Sequence, residues 1–445
     1  MSFDEKSLAN LKESLSQCFE EDLLDEVAKD TGFCQRKRKL TPRIFLEMLL
    51  CKHFDANQES LLDHCRELAI HERISVSKQS IDERFNNQAL EFIKKLISLQ
   101  MNKWVEKPLD ILDQFPHVFV HDSTKFKLPE SMKDDFKGFG VKGMAAGASI
   151  QFCYDLRNCQ FKELKLTAAT HNDSLEATGN EWVVKGCLVV RDLGYFSIDA
   201  LEEIINKEAY YISKVKPKTT FCYLGGRGKF DLKKLVDKMG RKGVAMQSAN
   251  LLMGEKKLPV RVIFQKVPDE VYEERIRNKT KKNNSRGWEM SEEYRTWAKL
   301  NVFITNTEEE MLSDRQVIDN YKLRWQIELV FKTWKSHYNI HKTKEMKKVR
   351  IKVYIYSTLL LILIHWRVYR WLENAANKKG KAISLYKLSK YIIQMSNEFN
   401  RAVIMCKSEL DLFLRSFLDI SLSFITKEER KNKLCYSDIV LKKDG

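Results

Sequence analysis

The sequence predicts a mixed α/β core that is interrupted by a basic, β-rich segment and flanked by helical regions. Two apolar runs, HVFVHD (117–122) and CLVVRD (187–192), have the composition of buried strands, and both end in an acid. Residues 214–300 carry 22 Lys and Arg against 10 Asp and Glu, so this segment holds +12 of the chain's net +16. Apolar residues recur at helical spacing on both sides of these segments.

The excess of basic residues points to a polyanionic partner such as a nucleic acid. A chain of 445 residues has room for more than one domain. We expect a helical DNA-binding domain (1–108), a core in two parts (109–213 and 301–375), the basic insertion (214–300), and a C-terminal helical region with a possible dimer contact (376–445).

Other classes of protein fit the sequence poorly. The start, MSFDEKSLAN, lacks the basic and apolar regions of a secretory signal. The ten cysteines form no CxxC pairs or His-bearing zinc spacings, and we interpret them as reduced thiols of a cytoplasmic protein. The apolar run VYIYSTLLLILIHW (353–366) is shorter than the roughly 20 residues that span a bilayer, so we expect a buried core helix and no membrane contact.

A short segment near the N-terminus, ISVSKQSIDERFN (74–86), has a helix-start signal. Ser77 is placed as an N-cap, and Lys78, Gln79 and Arg84 follow on a short helix. This pattern is typical of the second helix of a helix-turn-helix, whose first residues enter a groove of DNA. An ordinary polar surface helix remains the alternative.

The other elements of the core follow from alternation and helical spacing. AGASIQFCYD and CQFKELKLT predict a hairpin with residues 156–158 in its turn. The further predictions are a helix near 174–185, a helix and a strand in SIDALEEIINKEAYYISKV, a strand at 302–306, and two amphipathic helices at 383–397 and 401–419.

The stretch YKLRWQIELVFKTWK (321–335) combines bulky apolar residues with one acid and several bases. On a single helix, Tyr321, Arg324, Glu328 and Lys335 fall within a stripe about 60° wide, beside a contiguous apolar face. An exposed Arg324–Glu328 ion pair would contribute only a few tenths of a kcal/mol. The stripe therefore suggests a binding role, in which the bases hold phosphate groups and the tyrosine donates to a phosphate or stacks on a base.

Two strands that end in Asp122 and Asp192 and a helix that carries Glu328 belong to the same predicted core. Three carboxylates brought together repel one another unless a cation neutralises them. A set of oxygen ligands without Cys or His suits Mg²⁺ or Mn²⁺. Two such ions about 4 Å apart can activate water or a 3′-hydroxyl and stabilise the leaving oxygen of a phosphodiester.

These residues resemble the Y-R-E-K signature of the DDE transposases encoded by bacterial insertion sequences, in the branch that moves by cut-and-paste. VFVHDST and VVRDLGYFS are similar to the blocks that carry the first and second metal-binding Asp of that family. The resemblance implies a ribonuclease-H-like core with a β-rich insertion, and catalysis and metal binding by Asp122, Asp192 and Glu328. It also implies two Mg²⁺ ions per site, for which Mn²⁺ can substitute, and contacts of Tyr321, Arg324 and Lys335 with a transposon end held as a DNA hairpin.

The sequence departs from some relatives in the strand before the signature, where they place a Trp that stacks on a flipped base. Trp288 and Trp297 are nearby substitutes, and either can equally be a core residue. The expected partners are double-stranded DNA, as terminal inverted repeats and target, and a second copy of the chain on that DNA. The alternatives are a catalytically silent DNA-binding repressor and a metal-dependent nuclease that does not join strands.

Overall fold

The computed structural model describes residues 5–36, 39–50, 60–103, 112–140, 143–226, 228–284, 287, 289–377, 381–405 and 407–426. In this part of the chain, nine strands form one sheet in the order β3-β2-β1-β4-β5-β9-β8-β7-β6. The strands are β1 Val118–Leu128, β2 Ala146–Asp155, β3 Gln160–Ala168, β4 Leu188–Arg191, β5 Tyr210–Lys214, β6 Phe221–Tyr223, β7 Met246–Met253, β8 Leu258–Lys266 and β9 Leu300–Thr305.

Helices surround the sheet. Those within the described residues are Glu5–Ser16, Glu21–Asp30, Pro42–Leu50, Leu61–His71, Lys78–Arg84, Asn87–Lys103, Ile198–Asn206, Leu232–Arg241, Asp269–Asn284, Glu292–Ala298, Asp314–Tyr321, Trp325–Ser336, Lys348–Asn377, Leu385–Gln394, Ser396–Met405 and Lys407–Ile425. The last three helices lie in the region where the sequence predicted two, at 383–397 and 401–419, so the predicted number of helices was wrong.

The first five strands have the ribonuclease-H-like arrangement that the resemblance implied. Their order is 3-2-1-4-5, with β2 antiparallel to β1, and with β1, β4 and β5 parallel to one another. The predicted hairpin is confirmed as β2 and β3, and the predicted strand at 302–306 is confirmed as β9.

Strand β1 is longer than the sequence predicted, because it does not end at Asp122. It pairs with β2 along its whole length, from Phe119 opposite Asp155 to Leu128 opposite Ala146. Its parallel pairing with β4 stops at His121. Asp122 is therefore the first residue beyond the parallel ladder and not the last residue of a strand, whereas Asp192 does follow the end of β4.

The helix predicted near 174–185 is wrong. A 3₁₀ turn covers only Asp173–Ala177, and the chain then continues without regular structure to β4. Gly179 has φ +71°, in the left-handed region that an α-helix cannot include. The indole of Trp182 then donates to Glu163 Oε2 on β3 at 3.0 Å, which fixes this loop across the sheet.

The basic segment predicted as a β-rich insertion contains both strands and helices. Strands β6, β7 and β8 extend the same sheet, since β8 pairs with β9 of the core. The helix Asp269–Asn284 has two acids in its first turn and two lysines in its last. That arrangement complements the helix dipole and favours a helix where the sequence analysis expected short strands.

The signature stretch is not one continuous helix. The helix Asp314–Tyr321 ends in a 3₁₀ turn, Lys322–Arg324, and the helix Trp325–Ser336 follows. Ser313 and Gln316 form a capping box at the start of the helix Asp314–Tyr321. A 3₁₀ turn advances about 120° per residue, whereas an α-helix advances about 100°. The turn therefore changes the angle between Tyr321 and the signature residues that follow it, Glu328 and Lys335.

The helix Lys348–Asn377 contains the apolar run that the sequence analysis interpreted as a core helix. By length and composition it is the one helix of the described residues that could cross a membrane, and 78% of its most apolar window is buried inside the protein. Its apolar residues belong to the same core as the helix Trp325–Ser336 and one face of the sheet.

Candidate active site

Asp122, Asp192 and Glu328 lie on the same face of the sheet. Side chains alternate along a strand, so Asp122 shares a face with Val120, which packs in the large core. Asp192 shares that face with Val190 for the same reason. The helix Trp325–Ser336 packs on it and carries Glu328. The fold thus unites three acids that are far apart in sequence.

The guanidinium of Arg324 contacts all three carboxylates. Its Nη1 lies 2.8 Å from Asp122 Oδ2, its Nη2 lies 2.8 Å from Glu328 Oε1, and its Nε lies 3.4 Å from Asp192 Oδ1. The side chains of Arg324 and Asp122 are 15% and 14% exposed, so this contact is shielded from water on the Asp122 side. The two contacts of 2.8 Å are charge-assisted hydrogen bonds, which are stronger than neutral ones, and the contact of Nε with Asp192 is an ion pair without a hydrogen bond.

Burial and the neighbouring charges set the protonation of this cluster. Burial raises the pKa of Asp122 to about 6, against the opposing effects of Arg324 and of the Ser123 N–H, which donates to Asp122 Oδ1 at 2.8 Å. Burial alone would lower the pKa of Arg324, but Asp192 and the other partners raise it above its ordinary value. Arg324 is therefore a permanent cation, whereas Asp122 titrates near neutral pH.

A pH dependence of stability follows for the metal-free protein. The folded state holds the Asp122 proton more tightly than the unfolded chain, so ionisation costs at most about 3 kcal/mol, and the cost grows as pH rises from about 4 to about 6. Asp122→Asn removes this cost. We expect the melting temperature of the variant minus that of the wild type to increase between pH 5 and pH 7 in a chelating buffer. A difference that stays constant or falls over this range would contradict the assignment.

Tyr321 is buried and belongs to the acid cluster. Its hydroxyl donates to Asp192 Oδ1 at 3.3 Å, and its ring packs edge-on against Phe303 of β9, with centroids 5.3 Å apart. Burial, and next the charge of Asp192, raise the pKa of Tyr321. Tyr321 thus orients the second acid while remaining a neutral donor.

Lys214 is a site residue that the sequence analysis missed. Its Nζ lies over the Tyr321 ring at 5.2 Å and over the Phe303 ring at 5.5 Å. Burial, with the nearby cations Arg275 and Arg324, lowers its pKa. The available signal was its position, because Lys214 ends β5 just as Asp192 follows β4, and the carboxyl ends of neighbouring parallel strands meet.

Lys335 lies farther along β1 from the carboxylates. Its Nζ donates to the carbonyl oxygen of Lys125 at 2.9 Å, and burial lowers its pKa. Lys125 in turn has its Nζ 3.5 Å from Asp173 Oδ2, and Asp173 Oδ1 accepts from Ser123 Oγ at 3.0 Å. These contacts fix the part of β1 that follows Asp122.

The predicted DNA-binding residues outside the acid cluster have different environments. Ser77 caps the helix Lys78–Arg84 by accepting from the N–H of Ser80, as the sequence predicted, and Lys78 and Gln79 are exposed. Arg84 instead points inward, where its Nη1 donates to the Phe33 carbonyl at 3.2 Å.

Trp297 and Trp288 were the tryptophans considered for base stacking. Trp297 is partly buried against the core on the opposite face of the sheet, and Trp288 lies outside the described residues. Trp325 is the exposed aromatic beside the acid cluster, with 56% of its surface accessible, and it directly follows Arg324. Trp325 was not predicted as a site residue, although its position next to the signature arginine is visible in the sequence.

The carboxylates have the chemistry of a divalent-cation site. With Arg324 between the three carboxylates, they are too far apart to hold a metal ion, and no other group of three Asp, Glu, His or Cys side chains among the described residues is close enough to do so. Their oxygens nevertheless already share one cation, and hard oxygen donors are what Mg²⁺ and Mn²⁺ prefer. Asp122, Asp192 and Glu328 therefore fit such an ion in the place of the guanidinium.

Several known proteins are similar to this chain. The transposase of insertion sequence element IS231E from Bacillus thuringiensis subsp. finitimus is 29% identical over 397 residues, which cover 84% of this chain and 83% of that protein. The transposase of IS1151 from Clostridium perfringens is 27% identical over 381 residues, covering 81% of this chain and 80% of that protein. A cryo-EM structure of the piggyBac transposase synaptic complex with hairpin DNA aligns with 92% of this chain at 10% identity and a TM-score of 0.43.

Residues 113–364 match the sequence model of a family described as the transposase DDE domain, and this stretch contains the first five strands, the basic segment and the signature helices. Dependence on divalent metal ions is general in that family. Since the match covers more than half of the chain, this protein belongs to the DDE transposases of insertion sequences, which are enzymes that cut DNA and transfer its strands.

Proposed function

We propose that Asp122, Asp192 and Glu328 form the catalytic site at which this transposase cuts and joins DNA at the terminal inverted repeats of its element. The observation that carries the proposal is the convergence of all three carboxylates on one cation, with contacts of 2.8, 2.8 and 3.4 Å. We assign two Mg²⁺ ions to this site, for which Mn²⁺ can substitute.

Held by these three carboxylates, the ions would supply activation of water or a 3′-hydroxyl and stabilisation of the leaving oxygen of the phosphodiester. The residues of the chain supply the ligands and the orientation. The Ser123 N–H holds Asp122, and the Tyr321 hydroxyl holds Asp192. Arg324 and Lys335 bind phosphates of the transposon end, and Lys214 adds a third cation on the β5 side.

Recognition of DNA uses surfaces on both sides of this site. The exposed Lys78 and Gln79 begin a capped helix that suits a DNA groove, whereas Arg84 serves the packing of that helix. The excess of bases in 214–300 provides contacts with the phosphate backbone that do not depend on sequence.

We propose that the two DNA strands at each transposon end pass through a hairpin intermediate. Water cuts one strand and frees a 3′-hydroxyl, which attacks a phosphodiester of the opposite strand and displaces the flanking DNA, so that the transposon end closes as a hairpin. A second water reopens the hairpin before transfer into target DNA. Such a tight DNA end leaves a base unstacked, and the exposed ring of Trp325 offers it a stacking surface. Holding two ends requires a homodimer on DNA, and the exposed Leu412 and Phe424 of the helix Lys407–Ile425 are candidates for its contact.

The test is incubation of purified protein with Mg²⁺ and a duplex that ends in the inverted repeats bordering its gene. We expect a nicked strand, then a hairpin that runs at double length on a denaturing gel, and finally joined products with a target plasmid. Cleavage without any joined product would favour a nuclease instead. Specific binding without cleavage would favour a repressor.

A further inference from the structure

The position of Arg324 has a consequence for how the catalytic site is filled. Both oxygens of Asp122 are engaged, Oδ2 by Arg324 at 2.8 Å and Oδ1 by the Ser123 N–H at 2.8 Å. Asp192 Oδ1 is likewise shared by Arg324 Nε at 3.4 Å and the Tyr321 hydroxyl at 3.3 Å. The guanidinium therefore occupies the space toward which the three acids point.

A guanidinium and a divalent ion cannot share this space. Mg²⁺ needs each ligand oxygen at about 2.0–2.1 Å from the ion, in nearly octahedral geometry. The three carboxylates must therefore lie closer together around the ion than they do when each contacts a different nitrogen of the guanidinium. The two cations would also repel each other strongly in a site where Asp122 and Arg324 are largely shielded from water. Lys214, over the Tyr321 ring at 5.2 Å, adds a further positive charge nearby.

We propose that Arg324 closes the cation site of the DNA-free protein, and that the site opens when the guanidinium moves from the carboxylates to a phosphate of the bound transposon end. This inference rests on the proposed function of the triad and adds an order of events to it. Arg324 has a long side chain and lies in the 3₁₀ turn between two helices, so it can exchange partners without movement of the sheet.

The exchange couples metal binding to DNA binding. If DNA raises the affinity for the metal ion by some factor, the metal ion must raise the affinity for DNA by the same factor. A protein built in this way assembles its catalytic cations only when a DNA end is in place. Cleavage at a site where no phosphate engages Arg324 is thereby suppressed.

The experiment measures Mn²⁺ binding to the DNA-free protein by titration calorimetry. We expect Arg324→Gln to bind Mn²⁺ at least tenfold more tightly than the wild type, because the competing cation is gone. Arg324→Lys should lie between them, since a single ammonium cannot contact three carboxylates at once. Arg315→Gln is the matched control, because it removes the same charge from an arginine that is 64% exposed and pairs with Asp319 at 3.0 Å. It should bind Mn²⁺ as the wild type does.

Two further arms separate this inference from the proposed function. If Arg324→Gln melts as a folded protein but binds Mn²⁺ no more tightly than the wild type, the proposed closure by Arg324 is wrong. The proposed function of the triad is not affected by that outcome. Adding Glu328→Gln to Arg324→Gln should abolish the gain, and a gain that persists would place the ion elsewhere and overturn both proposals. With Ca²⁺ as the cation, an element-end duplex should tighten metal binding at least tenfold in the wild type and less than threefold in Arg324→Gln.

Discussion

Asp122→Asn, Asp192→Asn and Glu328→Gln are each expected to lower the rate of strand cleavage by about a thousandfold or more. A factor of this size corresponds to about 4 kcal/mol of transition-state stabilisation. Each substitution replaces a carboxylate that we propose as a metal ligand by an amide of nearly the same shape, so the fold should persist. The measurement is single-turnover cleavage of a labelled element-end duplex, with DNA affinity determined in parallel by anisotropy.

The three losses should not add. Residues that hold the same ions act as a unit, so a double variant is expected to be about as slow as the slower single variant. DNA affinity measured without metal should change less than threefold, because phosphate contacts come from the basic side chains. This separation of cleavage from binding distinguishes a ligand of the catalytic ions from a residue that only supports the DNA interface.

Asp319→Asn is the matched control for the triad. Asp319 lies on the helix Asp314–Tyr321, pairs with Arg315 at 3.0 Å and with Lys322 at 2.5 Å, and contacts none of the three acids. Its variant should cleave at the wild-type rate. If Glu328→Gln cleaved within tenfold of the wild type, Glu328 would not be a ligand of the catalytic ions, and the proposed site would need another third acid.

The convergence of the three acids was predictable from the sequence because each lies beside an apolar pattern that fixes its face. Val118 and Val120 determine the face of Asp122, and Ile327 and Phe331 determine the side of the helix next to Glu328. What the sequence could not predict is the contact of Arg324 with all three. Spacing along one helix suggested only the pairing with Glu328, and the contacts with Asp122 and Asp192 depend on long-range packing.

Local patterns also misled where tertiary pairing decided the outcome. The run HVFVHD predicted a strand ending at Asp122, yet β2 keeps pairing with β1 as far as Leu128. The position of Lys214 at the end of a predicted strand was visible in the sequence, but only the parallel pairing of β4 with β5 brings it beside Asp192. Elements with strong periodicity were therefore predictable, whereas strand ends and cation contacts required the assembled sheet.

Trp334→Ala is expected to lower the free energy of unfolding by about 3–5 kcal/mol. Trp334 is 1% exposed and contacts Phe152 with ring centroids 5.0 Å apart and Phe331 at 5.5 Å. Phe152 is the residue of β2 directly opposite Asp122 in β1. The tryptophan thus seats the helix that carries Glu328 on the strand pair that carries Asp122, and thermal unfolding of the metal-free variant measures its contribution.

Trp325→Ala, on the same helix, provides the comparison. Its ring is 56% exposed, so the melting temperature should stay close to that of the wild type. If Trp325 stacks on an unstacked base, this variant should instead lose about 1–3 kcal/mol of affinity for a DNA end. The two alanine substitutions are therefore expected to affect different properties, since Trp334→Ala lowers stability and Trp325→Ala lowers DNA affinity.

Loss of activity in Trp334→Ala has two physical causes that can be separated. A smaller folded fraction lowers the amplitude of cleavage in proportion, whereas a displaced helix lowers the rate constant of the molecules that remain folded. Trp334→Phe keeps an aromatic ring against Phe152, so it should recover a large part of the stability. Since Glu328 and Asp122 must approach the same ions, we expect the single-turnover rate constant of Trp334→Ala to fall at least tenfold below the Trp334→Phe value at a temperature where both are folded. Equal rate constants would show that the position of Glu328 does not depend on this packing.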